Sequence, residues 1–474
     1  MRNYFYITTT LPYVNADPHI GFAMEIIRAD TIVRLKRLLG YDVFFNTGSD
    51  EHGQKIYQKA KEKNLDPKIY CDQQVKKFHN LKEALNLSYD RFIRTTDEDH
   101  VKAAQEFWQI SLKNGDIYKA KYQVKYCVGC EMEKTDSELS YGRCPIHPNR
   151  PLEIIEEENY FFRFSKYQQK LLDFYEKNKD FVKPEFRFEE LKNFVKKGLK
   201  DFSISRVKEK MPWGIPVPGD NTQVMYVWFD ALINYISTLG WPENKKNFEK
   251  FWPGIQIAGK DNLRQQAAMW QAMLMSANLP PSKQIFIEGF ITSNGQKMSK
   301  SLGNVVDPFL MVEKYGTDAL RFYLLKEIPN FDDGDFSEAR MKEIYNANLA
   351  NELGNLVTRL TNLAYQDNLT FNKPDEKITK NNLLTLEKLI DRFQFNEVVN
   401  LIWEEIKTLN KQIDVFSPWK KKHNERKNFL NQSLTNLYLI AKKLEPFLPQ
   451  TAQKIIDGLS LKVSKIPPLF PKIK

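Results

Sequence analysis

Phe5-Tyr6-Ile7-Thr8-Thr9, then Leu11-Pro12-Tyr13-Val14-Asn15-Ala16, then Asp17-Pro18-His19-Ile20-Gly21-Phe22 is the stretch whose reading decides the fold. The first five residues are aromatic and β-branched, the signature of a buried strand. The next six read as a turn. Asp17 has the chemistry of a helix N-cap and Pro18 suits the first helical position. Ile20, Met24, Ile27, Thr31, Leu35 and Leu38 recur at helical spacing, and Gly40 ends the helix. Tyr41-Asp42-Val43-Phe44-Phe45 is a second strand, with helix after it. Strand, helix, strand opens a parallel α/β sheet of Rossmann type, which takes ligands at the carboxyl ends of its strands. His19 and Gly21 then fall in a first helical turn, where free N–H groups and the helix dipole favour an anion. Gly21 has no side chain to keep a phosphate away, and His19 can donate to one.

A second stretch lies far along the chain. Gln284-Ile285-Phe286-Ile287 reads as a strand, leading through Glu288-Gly289-Phe290 and Asn294-Gly295 into Lys297-Met298-Ser299-Lys300-Ser301. Two lysines separated by small residues can wrap a departing pyrophosphate, and such charge is worth most where negative charge grows in the transition state. Either motif alone is weak, since His-x-Gly is common and a Lys/Ser pentapeptide is ordinarily a solvated loop. In this order they suit a single role, gripping the triphosphate of ATP from two sides while its α-phosphate is attacked. His19, Lys297 and Lys300 are the expected catalytic residues.

Between them lies a cysteine cluster. Cys127-Val128-Gly129-Cys130 and Cys144-Pro145-Ile146-His147 are two ligand pairs, each with two intervening residues. Three thiolates and one imidazole suit a tetrahedral zinc closed to substrate, hence structural. Gly129 and Gly142 fit the tight turns of a knuckle. Cys71 stands apart and reads as packed in a helix. From about Lys113 to Pro216 the pattern breaks into short segments, an inserted domain. The sheet is expected to resume at Val224-Met225-Tyr226-Val227-Trp228 and Ile255-Gln256-Ile257-Ala258, and from roughly Ser337 the chain reads as helical. At 474 residues the length suits about three domains. A net charge of +10 favours a polyanionic partner. No apolar stretch reaches membrane-span length, and Met1-Arg2-Asn3-Tyr4 runs into a strand without a signal-peptide pattern. Four cysteines in so long a chain are not a disulfide framework, so a cytoplasmic protein is expected.

With these residues in place the chain resembles the class I aminoacyl-tRNA synthetases, and within them the methionyl-tRNA synthetases. The resemblance spans essentially the whole chain. It includes Thr47-Gly48-Ser49-Asp50-Glu51-His52-Gly53, the cysteine cluster, Val227-Trp228-Phe229-Asp230-Ala231, Gly259-Lys260-Asp261 and Asn351-Glu352-Leu353-Gly354-Asn355-Leu356. It implies a Rossmann-like catalytic domain in two halves (1–112 and 217–290) around a connective insertion with one zinc knuckle (113–216). A lysine-motif region (291–336) and a helical anticodon-binding domain (337–474) follow. The implied activity joins L-methionine to ATP as methionyl-adenylate, with magnesium accompanying ATP. Methionine then passes to the terminal ribose of tRNA(Met), at its 2′-hydroxyl.

The resemblance places methionine against Leu11, Tyr13, Asp50, Trp228, Ala231, Tyr235 and Gln266. It places ATP against His19, Gly21, Gly259, Asp261, Lys297 and Lys300. Asn355, Arg359, Asp414 and Trp419 match the anticodon contacts. Two positions depart from the pattern: Phe22 and Gln266 each stand where relatives carry histidine. Without an appended domain after Lys474, a monomer is expected. The insertion is too short for the editing domain of a leucine, isoleucine or valine enzyme, and a cysteine enzyme would place zinc in the amino-acid pocket. An RNA-binding paralogue without catalysis is opposed by the intact lysine motif. A small nucleotidyltransferase would lack the knuckle and the helical tail.

Overall fold

The computed structural model describes residues 3–130, 132–134, 138–298 and 302–473. At its centre lies a six-stranded sheet of β1 (Tyr4–Thr9), β2 (Asp42–Ser49), β3 (Arg91–Arg94), β4 (Val182–Lys183), β5 (Ile255–Gly259) and β6 (Gln284–Glu288). Their order is β3-β2-β1-β5-β6-β4, and every pairing is parallel. β1 is buried from Phe5 to Thr9, as its run of apolar and β-branched residues predicts. It lies between β2 and β5, so the strand order reverses beside it and opens a crevice at the strand ends. Helix α1 (Ile20–Leu38) follows β1 and points its N-terminus at that crevice.

The expected continuation of the sheet at Val224–Trp228 is corrected. Asp220–Met225 pairs antiparallel with Pro216–Val217 and Ser205–Val207 in a separate three-stranded sheet. Gly219, at φ +80°, turns the chain back on itself there. Val227–Ala231 is a short helix, so Trp228 stands on helix rather than strand. Alternating hydrophobicity identifies a strand but not the sheet it joins. Within 113–216, Ile117–Cys127 and Glu153–Phe162 form a long antiparallel pair whose far end leads into the cysteine cluster.

Helices fill the chain from Glu338 to Gly458. Their apolar stripes, such as Ile402, Ile406, Leu409 and Ile413, are buried. The helical region docks on the sheet partly through Phe286 of β6, stacked on Phe393 at 4.1 Å. Among the described residues no helix is long and apolar enough to cross a membrane.

α1 holds these parts together through charged residues buried along its length. Arg28 pairs with Glu288 of β6 at 2.9 Å and donates to the carbonyls of Ile328, Pro329 and Asn330. Asp30 pairs with fully buried Arg321 at 2.9 Å. Arg321 also donates to the carbonyls of Leu85, Pro446 and Phe447. Near the helix end Lys36 reaches Glu387 at 2.8 Å and Asp391 at 2.6 Å. Removing Arg321 would leave three buried carbonyls without their donor and Asp30 with Arg34, at 2.7 Å, as its remaining cation. Arg321→Leu is therefore expected to cost about 3–5 kcal/mol in denaturant unfolding, against under about 1 kcal/mol for Lys59→Ala at an exposed pair with Glu62.

Candidate active site

One cavity of about 850 Å³ opens at the carboxyl ends of the sheet strands, and residues from both quoted motifs line it. That size suits a nucleotide with an amino acid. His19, Gly21, Gly259, Asp261 and Lys297 line it, and Leu11, Tyr13, Asp50, Trp228, Ala231, Tyr235 and Gln266 line it as well. Lys300 lies outside the described residues.

The start of α1 differs from the sequence reading. His19, not Asp17, is the N-cap: its Nδ1 accepts from the Gly21 N–H at 3.1 Å. The N–H of Ile20 donates to the carbonyl of Val306 at 3.0 Å, so a distant segment fixes where the helix begins. Asp17 pairs instead with Lys77 at 2.5 Å. With Nδ1 accepting, a neutral His19 carries its proton on Nε2, leaving a donor for the cavity. His19 is exposed at the cavity, and partial desolvation there lowers its pKa. A Cβ on Gly21 would come within 3.0 Å of the His19 ring. Phe22 is buried edge-on against Phe78 at 5.6 Å and gives the cavity an apolar wall.

Lys297 ends a hairpin of Ile291–Ser293 and Gln296–Lys297. Asn294 and Gly295 turn it, both at positive φ, as a two-residue turn of this type requires. Beside Asp261, Lys260 is turned aside to Asp333, at 2.6 Å, and covers the Phe290 ring.

Elsewhere on the cavity wall Tyr13 and Asp50 are held in register by two backbone hydrogen bonds, Asp50 N–H to the Pro12 carbonyl and Val14 N–H to the Asp50 carbonyl. Gln266 donates to the Tyr235 hydroxyl at 2.6 Å. The segment around Asp50 is clamped by residues that sequence reasoning missed. Fully buried Asp230 meets His52 Nδ1 at 2.6 Å and His100 Nε2 at 2.7 Å. Burial alone would raise the Asp230 pKa, but the two imidazoles outweigh it and the pKa is lowered. Since His52 follows Asp50 by two residues and Asp230 precedes Ala231, this clamp ties two lining segments of the cavity together.

Glu25 was also missed. It lines the cavity, accepts from the Thr10 N–H at 2.7 Å and the Thr10 hydroxyl at 2.5 Å, and burial raises its pKa well above the usual carboxylate range. Its signal was present in the sequence: a helix apolar on nearly every side is buried, so charged residues within it need partners.

The four expected metal ligands converge. The donor atoms of Cys127, Cys130, Cys144 and His147 lie within 4.8 Å of one another and could hold one metal ion. Cys130 Sγ is 3.4 Å from Cys144 Sγ and 3.2 Å from His147 Nδ1. A Cβ on Gly129 would fall 2.5 Å from the His147 ring, so only glycine fits there. Gly129, Cys130 and His147 also line the cavity, and Lys55 donates to the Gly129 carbonyl at 2.8 Å.

In the helical region Arg359 pairs with Asp414 at 2.6 Å and its guanidinium lies 5.7 Å from the centre of the Trp419 ring. Trp419 is 52% exposed, a large apolar face open to solvent. Asn355 is exposed one helical turn before Arg359.

Comparison with known proteins gives a consistent family. The model for "tRNA synthetases class I (M)" matches residues 5–151 and 137–361. The methionine–tRNA ligase of Thermosynechococcus vestitus is 44% identical over 98% of this chain and 91% of its own. That of Thermotoga maritima is 42% identical over 96% of this chain and 75% of its own. The solved Mycobacterium tuberculosis methionyl-tRNA synthetase in complex with methionyl-adenylate superposes with a TM-score of 0.92 at 34% identity, over 99% of this chain and 100% of that one. Its apo form gives 0.86 at 32% identity, over 100% of this chain and 99% of that one. With matches of this identity over nearly its full length, the chain belongs to the methionyl-tRNA synthetases of class I.

Proposed function

We propose that the chain activates L-methionine with ATP and transfers the methionyl group to tRNA(Met). The observation that carries this reading is a single cavity lined by both the phosphate-side and the amino-acid-side residues, in a chain of this family. In the first step a methionine carboxylate oxygen attacks the α-phosphorus of ATP. The bond to the bridging oxygen breaks, and pyrophosphate leaves. No protein nucleophile is required, so positioning and charge complementarity carry the catalysis. His19 donates through Nε2–H to a phosphate oxygen, and Lys297, with Lys300, neutralises the departing pyrophosphate. Gly259 and Asp261 take the ribose. Asp50 pairs with the methionine ammonium, and Leu11, Tyr13, Trp228, Ala231, Tyr235 and Gln266 surround its side chain. Asp230 and its two histidines keep Asp50 in place.

Magnesium is read as travelling with ATP. Among the described residues the cysteine cluster is the one His/Cys/Asp/Glu group spaced to hold an ion. That cluster suits zinc with all four positions taken by protein, a structural role that stiffens the knuckle bordering the cavity. The helical region reads the anticodon. Trp419 offers a stacking face, and Asn355 and Arg359 offer donors, with Asp414 holding Arg359 beside the ring. The division of labour proposed with this function is 1–112 and 217–290 for catalysis, 113–216 for the knuckle-bearing insertion, which also lends Val182–Lys183 to the sheet, 291–336 for the lysine-motif region and 337–474 for the anticodon.

Exchange of labelled pyrophosphate into ATP tests the reading directly. It is expected with methionine and not with leucine, isoleucine, valine or cysteine. The absence of exchange from folded protein would refute it.

His19 provides a sharper check. His19→Ala is expected to lower kcat for exchange by about 10²–10³-fold, as for loss of a charge-stabilising donor, while His19→Asn retains about tenfold more because its amide can both accept and donate. The lowered His19 pKa keeps the ring neutral at neutral pH. Exchange should hold as pH falls through 6.5, the ordinary histidine value, and decline only below it, when Nδ1 gains a proton and loses the Gly21 bond. The Asn variant should lack that acid limb.

At the knuckle, Gly129→Ala is expected to drop bound zinc well below one ion per chain, as read by metal analysis. The same change at solvent-facing Gly142 would force a strained φ of +74° but no clash, and should leave the metal bound.

A further inference from the structure

Behind the cavity wall lies a buried chain of neutral hydrogen bonds whose direction is fixed. Ser282 donates its backbone N–H to Gln271 Oε1 at 2.9 Å, and Gln271 Nε2 donates to the Gln266 backbone carbonyl at 2.8 Å. A backbone N–H can only donate and a carbonyl can only accept, so these two bonds settle which way the Gln271 amide faces. Gln271 Nε2 also donates to Ser282 Oγ at 3.1 Å, which leaves the Ser282 proton for Gln256 Oε1 at 2.5 Å. Gln256 must then turn Nε2 to Gln266 Oε1, at 2.8 Å, and Gln266 must turn Nε2 to the Tyr235 hydroxyl, at 2.6 Å. Reversing Gln256 would leave the Ser282 proton without an acceptor, and reversing Gln266 would set its amide N–H group against that of Gln256. All five side chains are 3% exposed or less, so such a loss would carry the full desolvation penalty.

The consequence falls on Tyr235. Its oxygen accepts from Gln266, and burial, countered only in part by its hydrogen bonds, raises its pKa far enough that it keeps its proton. Gln256 and Asn234 also stabilise that oxygen. Among the described residues no protein acceptor is bonded to its proton, and Tyr235 and Gln266 line the cavity while Gln256, Gln271 and Ser282 do not. A buried O–H that must donate favours an occupant atom that can accept and penalises one that cannot. A thioether sulfur is a weak acceptor; a methylene is none.

We infer that Ser282, Gln271 and Gln256 are positioning residues that act through Gln266 to hold Tyr235 as a donor toward the bound side chain, and so set the preference for a thioether over an isosteric alkyl chain. The inference rests on the reading of this cavity as the methionine pocket.

The test compares methionine with norleucine, in which a methylene replaces sulfur, by kcat/KM for pyrophosphate exchange. Ser282→Ala and Gln256→Met are each expected to reduce the methionine preference about tenfold, the factor carried by one modest hydrogen bond. The change should appear in KM for methionine with kcat nearly constant, and Ser282→Thr should restore the preference. A merely structural role would lower both substrates together and leave their ratio intact. Thermal unfolding is followed for each variant; should Gln256→Met fail to fold, the Ser282 pair decides. An unchanged preference in folded Ser282→Ala, with methionine-dependent exchange intact, overturns the relay alone. A wild-type chain with no methionine-dependent exchange overturns the pocket reading and the relay together.

Discussion

The rest of the molecule depends on the burial of charge along α1. A helix of 19 residues is about 28 Å long, enough to reach from the crevice to the helical region. Its first turn faces the cavity, its middle is tied by Arg28 to β6 and by Asp30 to Arg321, and its last turns meet Glu387 and Asp391 through Lys36. Hydrophobic packing alone would let such a helix slide or rotate at modest cost. Buried ion pairs do not tolerate that, because any slip strands a charge in a low-dielectric interior. The cavity-facing turn and the C-terminal helices therefore share one frame.

The cavity that this frame positions carries both signs of charge. Lys55 and Lys297 line it together with Asp50 and Asp261. A purely cationic pocket would hold ATP but repel the ammonium of an amino acid. Mixed charge, separated in space, suits a reaction that brings a zwitterion to a polyphosphate. The buried Asp230 between His52 and His100 keeps the acidic side from drifting.

Local chemistry made part of this legible beforehand. β1, α1 and β2 follow from periodicity, the ligand quartet follows from spacing, and His19 and Lys297 do border one cavity. What stayed hidden depends on partners remote in sequence. Asp17-Pro18 has every local mark of a helix start, yet Val306 claims the N–H of Ile20 and moves the cap to His19. Asp220–Met225 has a strand pattern but pairs in another sheet because Gly219 folds it back. Arg321 looks like any surface arginine until three carbonyls and Asp30 enclose it. Gln256, Gln271 and Ser282 offer no sequence signal at all, since uncharged polar residues are usually solvated.

The fixed direction of that neutral chain also constrains how the protein can change over evolutionary time. Each member donates a hydrogen bond to the next, so replacing one member alone strands a buried donor or acceptor on its neighbour. Single steps between a glutamine and a residue of another hydrogen-bonding sense pass through a less stable intermediate, while paired steps do not. Gln256, Gln266, Gln271 and Ser282 thus form an epistatic block. Such a block drifts as a unit, and descendants should keep it whole or exchange it whole.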